Sequence, residues 1–267
     1  MSLPLAGNTR YTVRAFSLQN MVVRMDPSMT TKTQASGGLY RPEFERDNCG
    51  FGLIAQMDNK ASNKLVHTAI ESLSRLTHRG AVAADGKSGD GCGLLLKKPD
   101  QFLRQVATEL SLSLNDQYAT GMVFLNHDKN LQQTAKQTLE EALQQQGLST
   151  AGWRAVPLNT EACGQQSLDS LPAIWQIFVN APDGLSDTDF ERQLYISRRI
   201  AEKKLTDDPV FYVPSLSCNL ISYKGLVLPK LLSQLYLDLG DERFTSSLCV
   251  YHQRFSTNTL PQWRLAQ

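Results

Sequence analysis

Near the carboxyl end, three apolar segments of strand character arrive in succession: "VFYVPSLSC", "LISYKGLVL" and "SSLCVYHQRF". Earlier in the chain, segments of the same kind alternate with helical patterns instead. "NKLVHTAIESLSRLTHRG" places Leu65, Val66, Ala69, Ile70, Leu73 and Leu76 on one face of a helix, with Arg75, His78 and Arg79 near a C-terminus closed by Gly80. "DKNLQQTAKQTLEEALQQQG" opens at a capping Asp128, carries Leu131, Ala135, Leu139, Ala142 and Leu143 as its apolar stripe, and ends at Gly147. A short helix over 99–110 and another over about 187–205 complete the helical set. The segments "CGFGLIAQM", "CGLLLKK", "YATGMVFLN", "AGWRAVPL" and "AIWQIFVNA" read as strands, and a polar loop covers 159–170. Parallel neighbours need crossovers, whereas strands that follow one another directly pair antiparallel. The mixture therefore predicts a layered α/β (α+β) protein with substantial antiparallel sheet.

Such a fold needs a core, and 267 residues at 41% hydrophobic and 20% charged can supply one. Lys plus Arg number 27 against 26 for Asp plus Glu, so no overall field favours nucleic acid or an anionic membrane surface. No apolar run approaches the roughly 20 residues that cross a bilayer. Specificity must come from a local site. The five cysteines, at 49, 92, 163, 218 and 249, are odd in number and scattered, which fits a reducing compartment such as the cytoplasm. No cysteine or histidine spacing matches a structural zinc site, and no three cysteines are grouped to hold an iron–sulfur cluster.

Residues 1 to 48 stand apart. The first 40 are rich in Ser and Thr, hold Arg10, Arg14, Arg24 and Lys32 against only Asp26, and have little apolar periodicity, so this leader reads as disordered. A secretory signal would need a continuous apolar stretch that "MSLPLAGNTRYTVRAFSLQN" lacks. The boundary falls in "ERDNCGFGLIAQ", where one thiol separates polar chain from the first strand. An arbitrary cysteine at such a point is a small buried residue. Here, however, glycines at 50 and 52 permit close approach by other groups, and the preceding residues are dispensable to the core. Were they removed, Cys49 would own a free α-amine, whose pKa of roughly 7.7–8.0 suits it to act as base for its own thiol.

Taken together, "RDNCGFGLIA", "LTHRGAVAADGKSGDGCGLLL" and "YHQRFSTNTLPQW" resemble the amino-terminal glutaminase domain of bacterial glutamate synthase large subunits, and more broadly the class II glutamine amidotransferases. The resemblance runs in order from about residue 44 to the last residue. It implies an N-terminal nucleophile (Ntn) hydrolase fold, an αββα sandwich with two largely antiparallel sheets, incomplete at the C-terminus. On that basis residues 1–48 are a propeptide and 49–267 the amidotransferase domain. The nucleophile is assigned to Cys49 and the group that binds the α-carboxylate of L-glutamine to Arg254, a task that suits a planar guanidinium fork. Phe255 and Thr257 are assigned to the same pocket.

Arg79, in "HRG", is expected either to orient the new terminus or to cap a helix. Asp90 is expected to make local bonds in a turn, and Cys92 to be core. The resemblance also implies that an Asn-Gly oxyanion pair follows "RFSTNT" beyond Gln267. FMN and an iron–sulfur cluster would belong to the rest of the large subunit, which with a small subunit would be the protein partner; none is expected in this segment. Two other readings stay open on the residues alone. A non-catalytic α/β binding module or inactive fragment would keep Cys49 internal. An Ntn hydrolase of another amide would give no reason for Arg254.

Overall fold

The computed structural model describes residues 49–256 and 259–266 of the chain. The leader expected over 1–48 lies outside the described residues. Among the described residues, eight strands form two four-stranded sheets in which every pairing is antiparallel. The first sheet has the order β1-β8-β2-β7, from Gly50–Ala55 (β1), Leu248–Gln253 (β8), Ser88–Lys97 (β2) and Leu220–Val227 (β7). The second has the order β4-β5-β3-β6, from Ser149–Ala155 (β4), Ala173–Asn180 (β5), Tyr118–Leu125 (β3) and Tyr212–Ser217 (β6). The longest helices are α1 (Asn63–Ser74), α2 (Asp100–Glu109), α3 (Lys129–Gln145) and α5 (Asp187–Lys204), with a single turn, α4, at Gln165–Leu168.

Two apolar clusters explain the layering. Residues of both sheets, Leu94, Leu96 and Tyr223 from the first and Met122, Phe124 and Phe178 from the second, share the larger cluster with α1 and α2. The opposite face of the second sheet, with Val123, Ile177 and Val179, buries against Leu139 and Leu143 of α3 and Phe190 and Leu194 of α5. Strands β3 and β5 are buried on both faces and so read as continuous apolar runs. This is the α+β layered arrangement expected of an Ntn hydrolase.

Local chemistry sets the helix ends. Ser62 caps α1 through Leu65 N–H, and Asp128 caps α3 by accepting from Asn130 and Leu131 N–H. Two expectations are corrected here. Gly80 does not close α1: the helix ends at Ser74, a separate 3₁₀ turn covers Thr77–Arg79, and Gly80 is extended with φ −128° and ψ 162°. In α3 the first stripe position is shifted, because Leu131 is 46% exposed while Gln132 is buried and donates to the Asn126 carbonyl at 3.2 Å.

Between the sheets lies a buried polar cluster. Arg154 on β4 forms a two-point ion pair with Asp238, at 2.5 and 3.2 Å, and its Nε donates to Gln176 at 2.5 Å. Tyr223 on β7 donates to the same carboxylate at 2.9 Å. Each charged atom has a partner, which is the condition under which such groups survive burial.

Candidate active site

The first and last strands of the chain are neighbours, and this brings the two ends of the sequence pattern together. The antiparallel register pairs Gly50 with Gln253. Continued by one residue, it sets Cys49 opposite Arg254. The Cys49 sulfur receives the Phe255 N–H at 3.3 Å, and the Phe255 carbonyl lies 3.9 Å from the sulfur. Phe255 thus meets the thiol through its backbone. Of the five cysteines only Cys49 is partly exposed. The others are core: burial pushes Cys163 up to about 11 and Cys249 to about 12, and Cys218 reaches about 12 through burial and then the Glu191 carboxylate. Cys92 is fully buried, donates to the Val227 carbonyl at 3.3 Å, and is raised furthest of the four by desolvation.

Glycines around the thiol are there for close approach. A Cβ on Gly50 would lie 3.2 Å from both Leu76 Cδ1 and Arg79 Cγ, so the stem of Arg79 packs directly beside the residue after Cys49. The exposed Arg79 thus lies beside the strand terminus, in the last turn of the 3₁₀ segment Thr77–Arg79. Gly52 sits over the Tyr251 ring, its cross-strand partner, where a Cβ would come within 2.3 Å of the hydroxyl oxygen. Gly80 faces the Gln253 amide, with a Cβ-to-Nε2 distance of 1.9 Å. The chain thus brings together Cys49, Arg79, Arg254 and Phe255. Thr257 lies outside the described residues.

Arg254 is anchored at several points. Its N–H donates to the Gly91 carbonyl at 2.9 Å and its Nη1 to the Asp90 carbonyl at 3.2 Å, while Nη2 reaches Thr259 Oγ1. The segment beyond is pinned in turn. Trp263 stacks edge-on against Phe124 at 6.0 Å and donates to the Ser167 carbonyl at 3.1 Å.

Positive charge collects on the same face of the first sheet. Gly93 on β2 pairs with His252 on one side and Lys224 on the other, and Arg254 follows His252 by two residues. Burial and then the Arg254 charge hold His252 below its ordinary value. Burial, then Arg198 and Arg254, bring the Lys224 amine down to about 8. Lys224 is 4% exposed and donates to the Arg264 carbonyl at 2.7 Å. No motif marks Lys224 in the sequence, and a lysine within the apolar run "LISYKGLVL" is its one signal. A cationic corner of this kind favours an anionic ligand group.

A partly exposed thiol with a backbone N–H aimed at it, beside an arginine, matches the needs of amide hydrolysis on an amino-acid substrate. The family model of the class II glutamine amidotransferases matches residues 49–267, beginning at Cys49. The chain belongs to this family. Its curated relatives include ferredoxin-dependent glutamate synthase 2 of Synechocystis, 42% identical over 225 residues, which cover 84% of this chain and 14% of that protein. The NADPH glutamate synthase large chain of Bacillus subtilis is 39% identical over 231 residues, 86% of this chain and 15% of the relative. That of Azospirillum brasilense is 41% identical over 232 residues, with shares of 85% and 15%. The chain spans about one seventh of the length of the relatives it matches. Among the described residues no group of three His, Cys, Asp or Glu could hold a metal ion, and no helix is long and apolar enough to cross a membrane.

Proposed function

We propose that this chain is the glutaminase segment of a glutamate synthase large subunit, with Cys49 as nucleophile once residues 1–48 are removed. The observation that carries the reading is the junction of Cys49 with Arg254 and Phe255 at the paired ends of β1 and β8. The freed α-amine of Cys49 takes the thiol proton. The thiolate attacks the side-chain amide carbon of glutamine, breaking the C–N bond as the proton passes to the leaving nitrogen, and ammonia departs. Water then hydrolyses the γ-glutamyl thioester, releasing glutamate and restoring the thiol. Arg254 grips the α-carboxylate, and the positive charge of Lys224 adds to the field that draws it in. Phe255 and Thr257 shape the pocket, and Arg79 holds the terminus by packing on Gly50.

In the whole protein the ammonia would aminate 2-oxoglutarate, in the cytoplasm, with FMN and an iron–sulfur cluster supplying the reduction and a small subunit as partner. On this reading those groups belong to other parts of the polypeptide, and four of the five cysteines here are buried and scattered rather than grouped for a cluster. An internal, peptide-bonded Cys49 would instead favour a non-catalytic module. The test is Cys49→Ala in the full-length protein, together with amino-terminal sequencing of the wild type. Glutamine-dependent turnover should vanish while turnover with added ammonia persists, and the mature chain should begin at Cys49. Equal loss with both nitrogen donors, or active enzyme that retains the leader, would sink the proposal.

A further inference from the structure

The side chain of Asp90 is 4% exposed and lies outside the set that touches the thiol or the expected substrate. Its surroundings are unlike those of a turn aspartate making local bonds. One carboxylate oxygen, Oδ2, accepts two backbone N–H groups from distant segments: Ala81 at 3.0 Å and Ser256 at 2.9 Å. The first directly follows the "HRG" turn that carries Arg79. The second directly follows Phe255, whose own N–H points at the Cys49 sulfur. The Asp90 carbonyl takes Arg254 Nη1 at 3.2 Å, and the carbonyl of the next residue, Gly91, takes the Arg254 N–H at 2.9 Å.

The backbone is shaped to allow this. Between Ser88 and Cys92 the pairing of β2 with β7 is irregular, and Gly91 holds φ +113°, a left-handed conformation that suits glycine. A Cβ there would also run into Ala266 Cα at 2.5 Å. The bulge lifts Asp90 out of the strand ladder and aims its carboxylate between the two loops.

We infer that Asp90 is the positioning residue of this site: its carboxylate locks the Arg79 turn to the Arg254–Ser256 segment and so fixes both the Phe255 N–H against the thiol and the guanidinium against the substrate. A carboxylate serves because two donors converge on one oxygen, and charged acceptors bind N–H groups more strongly than neutral ones. The inference rests on the proposed glutaminase reading and deepens it.

The test compares Asp90→Ala and Asp90→Asn with wild type in the full-length protein. Glutamine kcat/KM, ammonia-dependent turnover, thermal midpoint and protection of Cys49 from iodoacetamide by glutamine are measured for each. Asp90→Ala should lower kcat/KM for glutamine by about tenfold or more, the size of one lost charge-assisted hydrogen bond expressed as a rate. It should also raise KM, weaken glutamine protection and spare the ammonia reaction. Asp90→Asn, which keeps one acceptor oxygen of weaker strength, should fall between the two. Should Asp90→Ala fail to fold, Asp90→Asn decides alone by showing a deficit confined to glutamine. Variants that lose thermal stability yet keep wild-type glutamine constants per folded molecule would make Asp90 merely structural and overturn the inference. If Cys49→Ala still hydrolyses glutamine, the glutaminase reading itself has failed; if it is inactive while both Asp90 variants match wild type, only the positioning role has.

Discussion

Replacing Gly80 by alanine tests the "HRG" turn at one atom. The backbone there is extended, with φ −128° and ψ 162°, so alanine adds no conformational strain and only the methyl group matters. That methyl would sit 1.9 Å from Gln253 Nε2 and 2.9 Å from the Arg254 carbonyl oxygen, against the roughly 3.5–4 Å of ordinary carbon contacts. Gln253 is 1% exposed, donates to the Arg254 carbonyl at 2.9 Å, and its Oε1 is buried without a partner, so it has little room to retreat. Overpacking of this kind costs about 1–3 kcal/mol. Loss of the Gln253 hydrogen bond adds about 0.5–1.5 kcal/mol. Urea unfolding of Gly80→Ala should therefore show a stability loss on the order of 2–4 kcal/mol. Because the displaced carbonyl belongs to Arg254, glutamine KM should rise as well. Gly86→Ala is the control: its φ of +70° makes alanine strained, but nothing lies within 4 Å of the added methyl. It should cost stability without moving KM. A Gly80→Ala protein with wild-type unfolding and KM, or a Gly86→Ala protein with an equal rise in KM, would refute the reasoning.

Three further outcomes are expected. Arg254→Lys should raise glutamine KM by about tenfold or more, since one ammonium cannot make a two-point grip on a carboxylate; an unchanged KM would remove Arg254 from the pocket. Asp238→Ala should cost about 3–5 kcal/mol in urea unfolding by leaving Arg154 buried and unpaired, and a loss below about 1 kcal/mol would contradict that account. The amine of Lys224 is lowered to about 8 when folded, so between about pH 8 and its ordinary 10.5 the unfolded chain holds the extra proton and stability rises with pH. Lys136, also lowered to about 8 by burial, has the same sign, so Lys224→Met should reduce that rise without abolishing it; an identical pH profile would rule Lys224 out as a source.

Strand and helix types were legible because each long segment carried its own period. β1, β3, β5 and α3 follow directly from local patterns of apolar residues, and Asp128 from cap chemistry. Errors came where a residue answers to a distant partner. Gly80 looks like a helix terminator from its neighbours, yet Gln253, far along the chain, is what forbids a side chain there. Leu131 fits the helical stripe by spacing but is exposed on the first turn of α3, where Gln132 turns inward to the Asn126 carbonyl.

The same distinction separates what was visible at the site from what was not. Cys49 stood out by its place between polar chain and a glycine-flanked strand, Arg254 only through the resemblance carried by "YHQRFSTNTLPQW", and the pairing of β1 with β8 brings their strand ends together. Asp90 is not conspicuous. An aspartate between glycines is common in turns, and its local sequence is satisfied by that reading alone. Its importance appears only when two backbone N–H groups, nine and 166 positions away, are found converging on one buried oxygen. Burying that charge would be costly with a single partner, so the second bond is what makes the position tolerable for a carboxylate. The fold thereby couples its own stability to the geometry of the thiol: the hydrogen bonds that satisfy the buried Asp90 carboxylate are the ones that hold the Phe255 N–H against the sulfur.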